Sequence, residues 1–407
     1  MNLEELFISI GYTKEEFIEI RNAYSLCNVK DTFLFQKVKE NFNFLISLGY
    51  SKEEIIKMTK ILPSIYTLST ENINKKIQYF ILLGYTKEEI IKMAKTLPSL
   101  YSYSLENIND KINYLISLGY TKSEITKMTK ILPQIYSYKK ENIKQKIEDL
   151  IGLGYTKEEI IKMTKSLPPI YSLKIEYIKQ KIKDLIGLGY AQEEVIKMTK
   201  SLPQIYGYLK ENINDKIKDL ITLGYTKEEI IKITLLSPAI YGLSLENIKQ
   251  KIEDLIGLGY TKEEVIKMTK LFPPIYSLSI ENIKQKIEDL ISLGYTKEEI
   301  IKMTKLLPQI YGYSKESINQ KITFYDSVDL HNLIVIDAKQ LMQSASLSYA
   351  RYKFYQSKGI SINMTNYKRL FIGGKKFEKQ YGISKKELLL MYPYEEYIKE
   401  NNRGRII

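Results

Sequence analysis

Gly119-Tyr120-Thr121-Lys122-Ser123-Glu124 opens a stretch of sequence that ends at Leu153 and then recurs almost unchanged. The phrase Leu-Gly-Tyr returns every 35 residues, with its glycines at Gly49, Gly84, Gly119, Gly154, Gly189, Gly224, Gly259 and Gly294. A period of this length, held without slippage, is typical of a solenoid, in which similar units share their core with their neighbours. We therefore expect the function to lie on a repeated surface.

Local signals in this unit predict a helix followed by a tight turn. Thr121 and Glu124 have the spacing of a capping box, so the helix should begin at about Lys122. It should end at about Ile131, because Pro133 lacks an N–H and biases the preceding residue away from helical angles. The five residues around this proline predict a single tight turn rather than a strand, with a 3₁₀ turn as one form.

A second helix should fill the rest of the unit. Its apolar positions follow the spacing of one helical face, at Ile143, Ile147, Leu150 and Ile151. Gly154 then supplies the left-handed residue that ends a helix. Each unit should thus be helix, proline turn, helix and glycine. The expected fold is all-α, a right- or left-handed helical solenoid (superhelix) of 35-residue repeats.

Both ends of the array depart from the repeat, as solenoid ends do because they have no neighbour to cover them. We expect residues 1–48 to form a divergent N-terminal repeat or cap. Residues 49–322 should form the regular helical repeats, and residues 323–407 an eroded repeat with a basic, aromatic C-terminal cap.

The eroded repeat is expected to stay in register with the others. Val335 lies 35 residues after Ile300 and has the same apolar character. This register places Asp329 at the glycine position and Gln343 at the proline position.

The chain lacks the residues on which most catalytic and metal sites depend. It has one histidine, His331, and one cysteine, Cys27, at opposite ends of the array, so neither a His/Cys zinc cluster nor a Cys-His dyad is expected. Paired acids such as Glu53 and Glu54 stand in the first helical turn, where capping and the helix dipole explain them. We expect no metal, no cofactor and no enzymatic activity.

Charge is the remaining chemical signal. Lys and Arg number 61 against 48 Asp and Glu, which gives a net charge of +13 and a pI of about 9.2, typical of nucleic-acid-binding proteins. Residues 339–386 combine 11 basic residues with one acid and many aromatics, a mixture suited to phosphates and bases. The alternative is a basic cap whose aromatics are core. The candidate nucleic-acid-binding residues of the tail are Arg351, Lys353, Lys368, Arg369, Lys375 and Lys376.

Lysines also recur at three positions of the repeat. The first lysine column has no carboxylate partner within its own helix and comprises Lys60, Lys95, Lys130, Lys165, Lys200, Lys270 and Lys305. The second lysine column comprises Lys76, Lys111, Lys146, Lys181, Lys216, Lys251, Lys286 and Lys321. We expect both columns to line a positive track for a polyanion. The alternative for the first column is structural, because a lysine at a helix C-terminus also interacts favourably with the helix dipole.

The third lysine column is expected to be neutralised. It comprises Lys57, Lys92, Lys162, Lys267 and their equivalents, and each of these follows a glutamate by four residues. This order favours a salt pair within the helix, so we do not expect the column to bind a ligand.

The repeat resembles that of the mitochondrial transcription termination factor (mTERF) family. The resemblance rests on Leu-Gly-Tyr-Thr-Lys-Glu-Glu-Ile-Ile-Lys-Met, Leu-Pro-x-Ile-Tyr and Glu-Asn-Ile-x-x-Lys-Ile, and on tail phrases such as Leu370-Phe371. It implies a half-doughnut superhelix of three-helix units, with a basic concave track that binds duplex DNA, or RNA in some members. It also implies a role in organellar transcription or ribosome assembly.

These observations together predict a non-enzymatic protein that binds nucleic acid, with double-stranded DNA favoured over RNA and transcription termination or regulation as the implied process. We expect a monomer with no membrane association. No presequence is visible, so a cytoplasmic location is expected, while the resemblance leaves an organelle open.

One rival function is a protein-interaction scaffold. In it, a tyrosine column would supply hot spots: Tyr66, Tyr101, Tyr136, Tyr171, Tyr206, Tyr241, Tyr276 and Tyr311. Single-stranded RNA recognition with one base per repeat is a further alternative.

The residue after the proline varies between repeats and suggests a code. Glutamine at this position, in Gln134, Gln204 and Gln309, can pair with adenine in the major groove. Each of these glutamines is followed four residues later by a tyrosine, whereas a proline or alanine there is followed by a leucine. The alternative is that each pair fills the same gap between units.

Overall fold

The computed structural model describes residues 1–25 and 30–403, and within these ranges the fold is all-α with no strand. Cys27 and Arg405 lie outside the described residues. The chain divides into two compact units, residues 1–207 and 208–407, and the division falls inside the regular array.

Each regular repeat begins with a helix of ten residues, here called the A helix. Its N-cap is Thr121 in the repeat analysed above, where Thr121 Oγ1 accepts from the Glu124 N–H and the Glu124 carboxylate accepts from the Thr121 N–H. The predicted capping box and helix bounds are confirmed. The A helices are Lys52–Ile61, Lys87–Thr96, Lys122–Ile131, Lys157–Ser166, Gln192–Ser201, Lys227–Leu236, Lys262–Leu271 and Lys297–Leu306.

The proline turn after each A helix is a 3₁₀ helix. Its proline occupies the first position, where the missing N–H costs nothing. These turns are Pro63–Thr67, Pro98–Tyr101, Pro133–Tyr136, Pro168–Tyr171, Pro203–Gly207, Pro238–Gly242, Pro273–Ser277 and Pro308–Gly312.

The second helix of each repeat, here called the B helix, precedes the next glycine. Gly119 ends one of them at φ 112°, a left-handed conformation that favours glycine. The B helices are Thr70–Leu82, Leu105–Leu118, Lys140–Gly152, Ile175–Gly187, Lys210–Thr222, Leu245–Gly257, Ile280–Ser292 and Lys315–Ser327.

The N-terminal region is helical and irregular. Its helices are Leu3–Ile10, Lys14–Ser25 and Asp31–Leu48. Asn2 caps the first helix in a capping box with Glu5, and Gly11 closes that helix.

The eroded repeat keeps the expected residue at the glycine position but loses the expected register after it. Asp329 adopts φ 56°, the left-handed conformation that glycine takes elsewhere and that Asp tolerates better than most residues. The first helix is only Leu333–Ile336, and a 3₁₀ turn begins at Ala338. Ala338, not Gln343, therefore takes the place of the proline, because the repeat lacks the first turns of its A helix. The placement of Gln343 was wrong.

The C-terminal region continues as short helices packed on aromatic side chains. They are a 3₁₀ turn at Ala338–Met342, a helix at Ala345–Ser357, a 3₁₀ turn at Tyr367–Phe371, and helices at Gly374–Tyr381, Lys385–Met391 and Tyr394–Arg403.

Within each of the two units, successive A helices pack against one another and the core extends from repeat to repeat. In residues 1–207, Ile125 and Met128 of the A helix, Ile135 of the turn and Ile143 of the B helix are all buried. Burial of each such side chain contributes about 1.5–3 kcal/mol. The exposed faces that remain are those of the A and B helices.

Interfaces between neighbouring repeats within each unit also contain buried clusters of hydroxyl groups. Tyr120 comes from the start of one repeat, and its hydroxyl lies 2.7 Å from the Tyr171 hydroxyl of the next repeat and also bonds Thr164 Oγ1. Thr164 in turn donates to the Ile160 carbonyl at 2.8 Å, so every hydroxyl of the cluster has a partner. The same arrangement joins Tyr85, Thr129 and Tyr136, then Tyr155, Thr199 and Tyr206, then Tyr225, Thr269 and Tyr276, and then Tyr260, Thr304 and Tyr311.

Candidate nucleic-acid interface

The first lysine column is paired with glutamates of the preceding repeat. Lys130 Nζ lies 2.6 Å from Glu89 Oε1, and Lys200 Nζ lies 2.8 Å from Glu159 Oε1. The other pairs are Lys60 with Glu16, Lys95 with Glu54, Lys165 with Glu124, Lys270 with Glu229 and Lys305 with Glu264. The hydrogen bond from Lys130 lowers the pKa of Glu89, which also closes a capping box.

This pairing corrects the expectation that the first column is unbalanced. No carboxylate partner lies within the same helix, but stacking of the repeats brings in a glutamate 41 residues away. The charge of the first column is therefore largely balanced on the protein itself.

The second lysine column is turned inward. Lys111 is only 7% exposed, and its ammonium donates to the Tyr138 carbonyl of the next repeat. Lys321 is 8% exposed and donates to the Leu341 carbonyl at 2.6 Å. Burial lowers the pKa of both lysines. These ammonium groups hold the turn of the neighbouring repeat, so they do not face a phosphate track.

The other members of the second column are similarly placed. Lys76 and Lys146 are half-buried and donate to backbone carbonyls. Lys181 lies over the Tyr177 ring, and Lys251 is buried. Lys216 faces Asp219, and Lys286 faces Asp289. The expectation that this column lines the surface is thus corrected, because the aliphatic stems are needed to fill the space between helices.

Of the three lysine columns, the third is the exposed one. Its eight members have no ion pair among the residues that the structure describes: Lys57, Lys92, Lys127, Lys162, Lys197, Lys232, Lys267 and Lys302. Seven of the eight lysines have a glutamate four residues earlier, and the expected salt pair with it does not form; Lys127 has Ser123 at that position. Glu53 instead bonds Ser51 and its own N–H at the start of the helix, which lowers the pKa of Glu53. The free N–H groups of the first turn attract the carboxylate away from the lysine.

Sequence reasoning therefore rejected the lysines that are most available to a polyanion. The signal that would have found them was the position of Glu53 and its equivalents in the first turn of the helix. At that position the backbone N–H groups compete with the lysine as hydrogen-bond donors to the carboxylate. Glu88, Glu158 and Glu228 likewise bond their own backbone N–H and the N-cap side chain.

The tail presents fewer binding groups than its composition suggests. Arg351 is 3% exposed, donates to the Leu370 carbonyl at 2.8 Å and lies against the Phe377 ring. The aromatics Tyr349, Phe354, Tyr355 and Phe377 are buried and contact one another or neighbouring rings. The structure thus favours a cap whose aromatics are core. Lys353 is half-buried, and the exposed cations among the candidates are Lys368, Arg369, Lys375 and Lys376.

The glutamines of the suggested code bond to the protein itself. Gln309 Nε2 donates to the Leu271 carbonyl at 3.0 Å, and Gln204 Nε2 donates to the Ser166 carbonyl at 3.3 Å. Gln134 is half-buried at the equivalent site. Both carbonyls belong to the preceding repeat, which supports the packing interpretation of these residues.

The tyrosine column of the scaffold hypothesis is buried. Tyr66, Tyr101 and Tyr206 have no exposed area, and Tyr136, Tyr171, Tyr241, Tyr276 and Tyr311 are 5–7% exposed. These rings belong to the interfaces between repeats. They cannot supply the hot spots that a protein partner would contact.

Comparison with protein families agrees with the repeat pattern. A family model described as mTERF matches residues 31–118, 106–187, 176–291 and 213–336, which together span most of the chain. The chain belongs to the mTERF family. Among curated proteins, no match to this mTERF sequence is found. None of its helices within residues 1–25 and 30–403 is long and apolar enough to cross a membrane.

Proposed function

We propose that this mTERF protein binds nucleic acid along the exposed face of its A helices, with the third lysine column as the main phosphate contact. The observation that supports it is the recurrence, at the same position of all eight A helices, of an exposed lysine that has no ion pair among the described residues. A regular series of such charges suits a polyanion with regularly spaced phosphates.

Charge is also distributed unequally between the two helices of a repeat. The A helix Lys122–Ile131 carries three lysines and one glutamate. The B helix of the same repeat, Lys140–Gly152, carries three lysines and three acids. The A face is therefore the one expected to attract phosphates. Duplex DNA as the favoured ligand, and transcription termination or regulation as the process, rest on membership of a family of nucleic-acid-binding repeat proteins.

The proposal is tested by removing charge from the third column. A variant with Lys127, Lys162, Lys197 and Lys232 changed to Gln should bind duplex DNA more weakly, and its plot of log binding constant against log salt should be shallower by about 0.9 for each phosphate that is no longer neutralised. Binding is measured by fluorescence anisotropy with duplex DNA, single-stranded DNA and RNA duplex probes.

A matched control removes the same charge from the B helices, with Lys144, Lys179, Lys249 and Lys284 changed to Gln. These lysines are also exposed, so folding should be equally unaffected. The control should keep most of the affinity and the salt slope. Equal losses in the two variants would mean that net charge, not the A face, determines binding.

A further inference from the structure

The last residue of each A helix combines exposure with variation. These residues, here called the variable column, are Ile61, Thr96, Ile131, Ser166, Ser201, Leu236, Leu271 and Leu306. Ile61 and Leu236 are each 63% exposed, and Ile131 is 60% exposed. The position is thus occupied by four residue types in repeats that are otherwise nearly identical, and the core does not constrain it.

The variable column lies one helical turn after the third lysine column. Ile131 follows Lys127 by four residues, so both side chains lie on one face of the A helix. A ligand backbone held by Lys127 would therefore pass within reach of Ile131. The same spacing holds in all eight repeats.

The turn of the next repeat fixes the backbone at this position. The carbonyl of Ser166 accepts from Gln204, and that of Leu271 accepts from Gln309. At these two positions the side chains of the variable column are thus presented from an anchored helix end rather than a loose one, which specificity requires.

We propose that the variable column determines sequence specificity, with one side chain per repeat contacting the bases of a nucleic acid. This inference rests on the proposed function, since it assumes that the third column holds the phosphates. The glutamines that suggested a code instead support the helix ends that carry these side chains.

The chemistry of the column has two classes. Isoleucine and leucine at five positions offer apolar contact, which in a major groove suits the methyl group of thymine. Thr96, Ser166 and Ser201 offer a hydroxyl. The hydroxyls of Thr96 and Ser166 donate to the Met93 and Met163 carbonyls of their own helices, which leaves an oxygen that can accept a hydrogen bond from several bases. We therefore expect the apolar repeats to prefer A·T pairs and the hydroxyl repeats to be more permissive.

The test compares two substitutions of the same kind in the full chain. Ile131→Ser changes the variable column, and Ile151→Ser changes an exposed isoleucine of a B helix, which is 46% exposed. Bound sequences are selected from a random duplex pool with the original protein and with each variant, and salt slopes are measured in parallel. Ile131→Ser should relax the preference at one position of the bound site and leave the salt slope unchanged, whereas Ile151→Ser should change neither.

The outcomes separate the two proposals. If the original protein shows no salt-dependent binding to any nucleic acid, the proposed function fails. If it binds with a normal salt slope but Ile131→Ser leaves the selected sequence as it was, the specificity role of the column is overturned while the phosphate track stands. In that case the column is free to contact a protein partner. The reciprocal Ser166→Ile should sharpen one position, and a uniform loss of affinity there would also contradict the inference.

Discussion

Thr129 illustrates how one hydroxyl joins two repeats. Its Oγ1 donates to the Ile125 carbonyl of its own helix at 2.8 Å and accepts from Tyr85 of the preceding repeat. Tyr85 also lies 3.0 Å from the Tyr136 hydroxyl. The three groups are buried, so the loss of any one leaves a polar neighbour without water to replace it.

Replacing Thr129 by valine should therefore destabilise the protein. The side chain keeps nearly the same volume but loses the acceptor of Tyr85, at an expected cost of about 1–2 kcal/mol. The measurement is the midpoint of thermal unfolding, followed by circular dichroism. No change in the midpoint would show that the cluster adds nothing beyond packing.

The repeat that contains Ala94 lacks the threonine hydroxyl, so there the hydroxyl can be added rather than removed. Alanine stands there in place of threonine, and among the described residues the Tyr50 hydroxyl has Tyr101 at 2.8 Å and a long contact to the Ile91 carbonyl at 3.5 Å as its partners. Ala94→Thr restores the missing acceptor and should stabilise the protein by about 0.5–1 kcal/mol. The same thermal unfolding measurement checks it, and a lower midpoint would contradict it.

At the scale of the element, the first turn of the A helix decides which charges remain available. Its second glutamate closes the capping box and also pairs with the first lysine column, as Glu89 does with Lys130. Its first glutamate, such as Glu88, bonds backbone N–H groups. Both carboxylates thus already have hydrogen-bond partners, and the lysine of the third column remains exposed and without an ion pair.

One A helix lacks its cap. Ala191 stands where the other regular repeats have threonine or serine, and it retains only the bond from its N–H to the Glu194 carboxylate at 2.8 Å. Ala191→Thr should stabilise this helix by about 1 kcal/mol. Hydrogen exchange of the amides near residue 194 measures the effect locally, and unchanged exchange there would contradict it.

Elements could be predicted from the sequence because their signals are local. Thr121, Pro133 and Gly154 each act within a few residues, and the helix bounds follow from them. Partners in adjacent repeats could not be predicted in this way. The lysine of the first column finds its glutamate 41 residues away, and a tyrosine finds its partner 51 residues away. The shortened helix before Ala338 was missed because apolar residues matched in either register.

At the scale of the whole molecule, buried tyrosines outnumber the buried lysines that titrate in the same range. Burial raises the pKa of Tyr101 to about 12, and it also raises the pKa of Tyr85, Tyr120 and Tyr260. An unfolded tyrosine titrates near pH 10. The stability contributed by a raised folded pKa is fully present below about pH 10 and is lost as the pH rises above it.

We therefore expect the protein to unfold on the alkaline side. The unfolding midpoint should stay level up to about pH 9.5 and fall steeply above about pH 10. Lysines such as Lys111 oppose this trend, because a folded pKa lowered by burial adds stability as the pH rises toward about 10.5. Tyrosinate absorbance and circular dichroism should change together. The expectation would be contradicted if the buried tyrosines ionised near pH 10 while the chain stayed helical.

The uniformity of the interfaces has a consequence for the gene. If the codons for residues 120–154 were lost in frame, Gly119 would join Tyr155 and the neighbouring faces would still match. Tyr85 would meet Thr164 and Tyr171, and Glu89 would meet Lys165, the same residue types that it and its equivalents meet now. Recombination of this kind can thus shorten the coding sequence while these contacts are kept, and the event would remove one lysine of the third column.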